Sequence, residues 1–134
     1  MLPSKVETII REMSTLLVYY SLQAGLESQE ADRNVRIDTP DSHEKCRRAE
    51  EREDQHEESV RHLARSMATM IDPDFGPYHG AATFYILRKV GDVKKSPSTY
   101  SDASLMHIVD DIVDGVTKDL MDYAPSPLNG KDNL

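Results

Sequence analysis

Residues 39–77 read TPDSHEKCRRAEEREDQHEESVRHLARSMATMIDPDFGP, and the fold turns on how this stretch is read. At its start, Thr39-Pro40 places a capping hydroxyl just before a proline. At the first helical position the missing proline N–H costs nothing. At its end, Asp72-Pro73-Asp74-Phe75-Gly76-Pro77 cannot carry a helical hydrogen-bond ladder, because two prolines and a glycine interrupt it. Between these stops, Cys46, Ala49, Glu53, His56, Val60, Leu63, Met67 and Met70 or Ile71 recur every third or fourth position. That period predicts one long helix from Pro40 to about Asp72. Its first half carries few apolar side chains, so it is expected to project from the core or to pack in an oligomer.

Upstream, Val6, Ile9, Ile10, Met13, Leu16, Leu17, Tyr20 and Ala24 share one helical face, and Ser4 with Glu7 fits a capping box. Gly25 reads as the stop of this first helix. Val18, Tyr19 and Leu22 fall off that face, so the helix is apolar around most of its circumference. Such a helix is either the central core element or a subunit interface. From Glu27 to Asp38 the pattern breaks down into mostly polar residues with isolated Val35 and Ile37, which reads as a loop or one poorly defined helical turn.

Downstream, Tyr78, Ala81, Ala82, Tyr85, Ile86 and Val90 predict a third helix. The β-prone run Thr83-Phe84-Tyr85-Ile86-Leu87 would also suit a buried strand, but no partner strand is visible. Residues 91–101, with Lys94, Lys95, Ser96, Pro97 and Ser98, have the composition of a mobile loop. A last helix over residues 102–123 buries Leu105, Val109, Ile112, Val113, Val116 and Leu120 and exposes Asp110, Asp111, Asp114, Lys118 and Asp122. The expected architecture is all-α: a small helical bundle of about four helices with one long charged helix, oligomeric, in a single domain over residues 1–124. Residues 125–134 are expected to be a disordered tail.

The 134 residues allow one core, and 38% hydrophobic against 30% charged residues suits a water-exposed globule. The longest apolar run, Leu16-Leu17-Val18-Tyr19-Tyr20, falls far short of the roughly 18 residues a membrane span needs. Cys46 is the single cysteine, which rules out an intramolecular disulfide and suits a reducing compartment. Without a secretory start as well, the chain is expected to be cytoplasmic. A net charge of -8 opposes nonspecific attraction to nucleic acid or anionic lipid.

His107, Asp110, Asp111 and Asp114 form the best metal-like constellation, since helical spacing brings them to one face. Asp110-Asp111-Ile112-Val113-Asp114 also resembles the DDxxD pattern that binds magnesium in isoprenoid synthases. The chain is too short for that large helical fold, and its acids face away from the predicted core, so a solvated acidic face is the preferred reading. Glu50 and Glu53 with Asp111 and Asp114 would suit Mg²⁺ held against a phosphate, the logic of all-α nucleotide pyrophosphohydrolases. Glu53 and His56 have the ExxH spacing of di-iron proteins, but no second ExxH exists to complete the site. Asp72, Asp74 and Gly76 lack the remaining ligands of a calcium loop, and no nucleophile elbow or glycine-rich phosphate loop is present.

Lys45, Arg48, Arg52, Gln55, Ser59, His62 and Ser66 make a stripe free of carboxylates along the long helix. Doubled in a dimer, such a stripe could track the phosphates of a nucleic-acid duplex; alternatively its cations pair with Glu44, Glu51 and Glu58 on neighbouring rows. Tyr19, Tyr20, Met67, Met70, Tyr78, Phe84 and Tyr85 are residue types enriched at interfaces, although core packing accounts for most. The sequence therefore points to a non-enzymatic macromolecule-binding protein of regulatory, inhibitor or immunity type. It is expected to form a homodimer and bind a protein partner through Lys45, Arg48, Arg52, Gln55, His62, Asp110, Asp111 and Asp114, with no catalytic residue, no cofactor and no membrane contact. The alternatives are a Mg²⁺-dependent pyrophosphohydrolase and a dimeric duplex binder.

Overall fold

The computed structural model describes residues 4–119, and over that range the chain is all-helical. Four α-helices run in order: α1 (Ser4–Ile37), α2 (Pro40–Ile71), α3 (Pro77–Lys95) and α4 (Asp102–Asp114). A 3₁₀ turn at Pro97–Thr99 joins α3 to α4, and a π-helical turn at Gly115–Asp119 follows α4. Residues 83–87 lie inside α3, which removes the strand alternative. The expected tail at 125–134, and Leu120 and Asp122 of the expected last helix, lie outside the described residues. No helix among the described residues is long and apolar enough to cross a membrane.

Both boundaries of the decisive stretch are where local chemistry puts them. Thr39 adopts an extended backbone, its hydroxyl accepts from the Ser42 N–H at 3.0 Å, and its own N–H donates to the Ser42 hydroxyl at 2.7 Å. This reciprocal cap satisfies two donors at the start of α2. Asp38 has φ 56°, the left-handed conformation that lets α1 end and turn directly into the Thr39 cap. At the other end Phe75 also has φ 57°, within the corner between α2 and α3. There Asp72 Oδ2 is buried without a hydrogen-bond partner.

Three expectations for helix extent need correction. Gly25 does not stop α1, and residues 27–37, expected to be loop, are helical. At Gly25 the end of α3 crosses α1 so closely that a Cβ would lie 2.5 Å from the Lys94 carbonyl oxygen and 2.9 Å from the Pro97 ring. Glycine is there to admit a neighbour. Beyond it, α1 is stabilised by packing against α2 through small side chains, Ala31 against Cys46 and Ala49, which a count of large apolar residues overlooks. Likewise α3 runs past Gly91 to Lys95, because Val93 is fully buried and supplies one more core position.

The main core gathers Ile10, Leu17 and Val18 of α1, Val60 and Met67 of α2, Ile86 and Val90 of α3, and Val109, Ile112 and Val113 of α4, with Val116 beyond it. α1 is central, touching each of the other three helices. α2 returns antiparallel along it, with Tyr20 stacked on His56 and Glu27 bonded to Arg52. α4 also runs antiparallel to α1, since Asp110 meets Arg11 while Asp102 and Leu105 lie beside Leu22 and Val18. A further correction concerns which side of α1 is covered: Ile9 and Leu16, expected in the core, are exposed, while Ser14 and Ser21 are buried along with the expected Ala24. Ser14 reconciles burial with polarity by donating to the Ile10 carbonyl at 2.7 Å.

Candidate functional site

Within the basic stripe, each cation has a carboxylate partner in its own chain. Lys45 lies 3.2 Å from Asp41, Arg48 donates to Glu44 at 3.1 Å, and Arg52 donates to Glu27 at 2.6 Å across the α1–α2 seam. Arg47, on a neighbouring row, bonds Glu44 and Glu51. The Arg47 hydrogen bond holds the Glu44 carboxyl below its usual range, Arg48 adds to the shift, and partial desolvation opposes both. The same pairing raises the Arg47 guanidinium. A partner seeking this stripe would have to displace these bonds; Gln55 and His62 remain exposed beside them.

The acidic face of α4 is similarly engaged. Asp110 accepts from Arg11 at 2.7 Å, Asp111 lies 3.9 Å from Lys89, and Asp114 is exposed. His107 is exposed on the same helix. On α2, Glu53 pairs with Lys94 at 2.9 Å, Glu57 binds the same ammonium, and Glu50 accepts from the Cys46 thiol at 3.0 Å. Glu50 and Glu53 are expected from the sequence to join Asp111 and Asp114, but among the described residues no three His, Cys, Asp or Glu side chains are grouped to hold a metal ion. Glu50 and Glu53 keep their contacts beside α2, and Asp110 and Asp111 keep theirs beside α4.

Cys46 is buried between α1 and α2, clustered with Ala31 and Ala49. Its hydrogen bond to Glu50 pushes the thiol above its ordinary pKa, with burial and the charges of Glu50 and Asp32 acting in the same direction. A thiol kept protonated and covered is a poor nucleophile. Nothing in its surroundings prepares it for covalent chemistry.

An apolar surface on α1 and α4 was not among the expected binding residues. Ile9, Leu16, Tyr19 and Leu26 of α1 are 43%, 47%, 53% and 38% exposed. Met106 of α4, 49% exposed, stands beside them. Between α1 and α4 runs a shallow apolar groove lined by Thr15, Val18, Tyr19, Leu22, Leu105 and Met106. Tyr19 and Met106 meet at this groove, and Ile9, Leu16 and Leu26 extend the exposed apolar series along α1. The signal was legible as a second three-and-four alternation on α1, at 9, 16, 19 and 26, out of phase with the core series at 10, 14, 17, 21 and 24.

No protein-family model matches the chain, and comparisons with curated proteins and with solved structures find no match.

Proposed function

We propose that this protein is a non-enzymatic binding protein that recognises another protein through the apolar surface of α1 and α4. The observation that carries this reading is the α1–α4 groove with exposed Tyr19 and Met106 at its edge, together with exposed Ile9, Leu16 and Leu26 on α1. Burying such side chains contributes roughly 25 cal/mol per Å² of apolar area, so the surface favours association with a partner that excludes water from it. The aromatic Tyr19 and the adaptable Met106 are residue types that anchor protein interfaces. The charged residues first expected to bind the partner, including Arg48, Arg52 and Asp110, are engaged within the chain, and in this reading they stabilise the helices that display the surface.

The supporting experiment compares pull-downs from native cells using the unaltered chain, Leu16→Glu, Tyr19→Glu and Arg48→Glu. A protein retained in stoichiometric amount by the unaltered chain and by Arg48→Glu, but lost by Leu16→Glu and Tyr19→Glu, is expected. Retention that ignores Leu16→Glu and fails with Arg48→Glu would transfer the role to the charged stripe. Circular dichroism controls for folding, which both exposed positions on α1 should tolerate.

A further inference from the structure

Resting on that reading, we infer that the protein partner fitted by the α1 surface is a second copy of this chain, laid antiparallel with its own α1 against the first. The exposed side of α1 carries Lys5, Ile9, Glu12, Leu16, Tyr19, Gln23, Leu26 and Glu30, spaced alternately by four and three residues. Six of these side chains are exposed, and Gln23 and Glu30 are half-buried. This spacing is the seam of a two-helix coiled coil, in which alternate positions of one helix fit between those of the other.

Charge and shape select one arrangement. In the antiparallel register that centres Leu16 and Tyr19 on their counterparts, Leu16 faces Tyr19 of the second copy and Ile9 faces its Leu26. The same register places Glu12 opposite Gln23, a carboxylate against an amide donor, and Lys5 opposite Glu30, whose carboxylate also holds Arg33 and Asn34 of its own chain. A parallel pair would instead face Lys5 with Lys5, Glu12 with Glu12 and Glu30 with Glu30, each a like-charge contact. Sliding the antiparallel pair by one heptad sets Glu12 against Leu16 in one direction and against Glu30 in the other. Only the centred register leaves the four apolar residues facing one another and every charge with a compatible neighbour.

From Lys5 to Glu30 the seam is about 38 Å long at 1.5 Å per residue. With the α4 shoulder at Met106, the interface is on the order of 1,200 Å² in total, near the small end for specific complexes. The dimer is therefore expected to be concentration-dependent.

Sedimentation equilibrium and disulfide trapping test the arrangement. Over tens of micromolar the chain is expected to dimerise, and Leu16→Glu, which leaves helicity unchanged, raises the dissociation constant more than tenfold. For trapping, Cys46→Ser removes the native thiol while keeping a hydroxyl donor for Glu50. In that background an equimolar mixture of Ile9→Cys and Leu26→Cys chains, with oxidised glutathione as oxidant, is expected to give a covalent dimer. Neither chain alone should do so, because like positions then stand about 25 Å apart along the seam. Cross-linking of Ile9→Cys with itself would overturn the antiparallel register. A chain that stays monomeric to 1 mM would overturn self-association altogether; the proposed protein binding would still stand if a partner from native cells remained sensitive to Leu16→Glu, and would fall with it if none did.

Discussion

The two ends of the α1–α2 pair are held by different physics. Below Gly25, α1 is surrounded by three helices, and its contacts are large aliphatic side chains: Ile10, Leu17 and Val18 against Val60, Met67, Ile86, Val109 and Ile112. Above Gly25 the two helices continue almost alone as an arm. They meet through Ala31, Cys46 and Ala49, bridged by Arg52 with Glu27 and closed by the Thr39 cap. The packed end draws on apolar burial, which scales with area; the arm draws on close backbone approach, capping and exposed ion pairs, each a small contribution. One helix can thus belong to two regions of unequal stability without any break in its hydrogen bonding.

The largest expected effect lies in the packed end. Leu17→Ala or Ile86→Ala removes a fully buried side chain and should cost about 2–5 kcal/mol by urea denaturation. A cost under about 1 kcal/mol would erase the distinction between the two ends. Next, glycine substitutions on α1 and α3 should differ in sign. Gly25→Ala forces a Cβ against the Lys94 carbonyl and should destabilise by about 1–3 kcal/mol, whereas Gly91→Ala enters open space within a helix and should stabilise by about 0.5–1 kcal/mol. Thermal unfolding of the pair checks both.

Thr39→Ala should cost about 1 kcal/mol, with the loss confined to the arm. Hydrogen exchange is the sharper measurement: amides near residues 30–50 should lose protection while those of α4 hold theirs. The smallest effect concerns pH. Because the Cys46 thiol has its folded pKa raised, its contribution to stability is complete at neutral pH and declines as the pH climbs through that folded value. Cys46→Ser should flatten the alkaline end of the stability profile, and native Cys46 should react with thiol reagents more slowly than the unfolded chain does.

Legibility in the sequence followed the range of the interaction. Thr39-Pro40 and Asp72-Pro73 could be read because caps and prolines act on their immediate neighbours, and the bounds of α2 came from them alone. Gly25 was misread because a glycine that ends a helix and one that admits a crossing helix look identical until the crossing helix is placed. The upper part of α1 was taken for loop because its buried residues, Ala31 and Asn34, are small or polar; Asn34 is accommodated by donating to the Glu30 carbonyl at 2.8 Å. Ion pairs within α2, such as Arg48 with Glu44, followed from spacing, whereas Arg52 with Glu27 and Lys94 with Glu53 needed the tertiary arrangement. Among the surface residues, Ile9 and Leu16 were assigned to the core because two interleaved apolar series on one helix merge into a single broad face when read by eye.

The unbroken passage of α1 through Gly25 also makes the segment above it a lever. From Gly25 to the corner at Asp38 the helix extends about 20 Å, so one degree of bending at the glycine carries the tip about 0.3 Å sideways. Val35 and Ile37 ride near that tip, both more than half exposed. A bend of three degrees there therefore displaces these two side chains by about 1 Å.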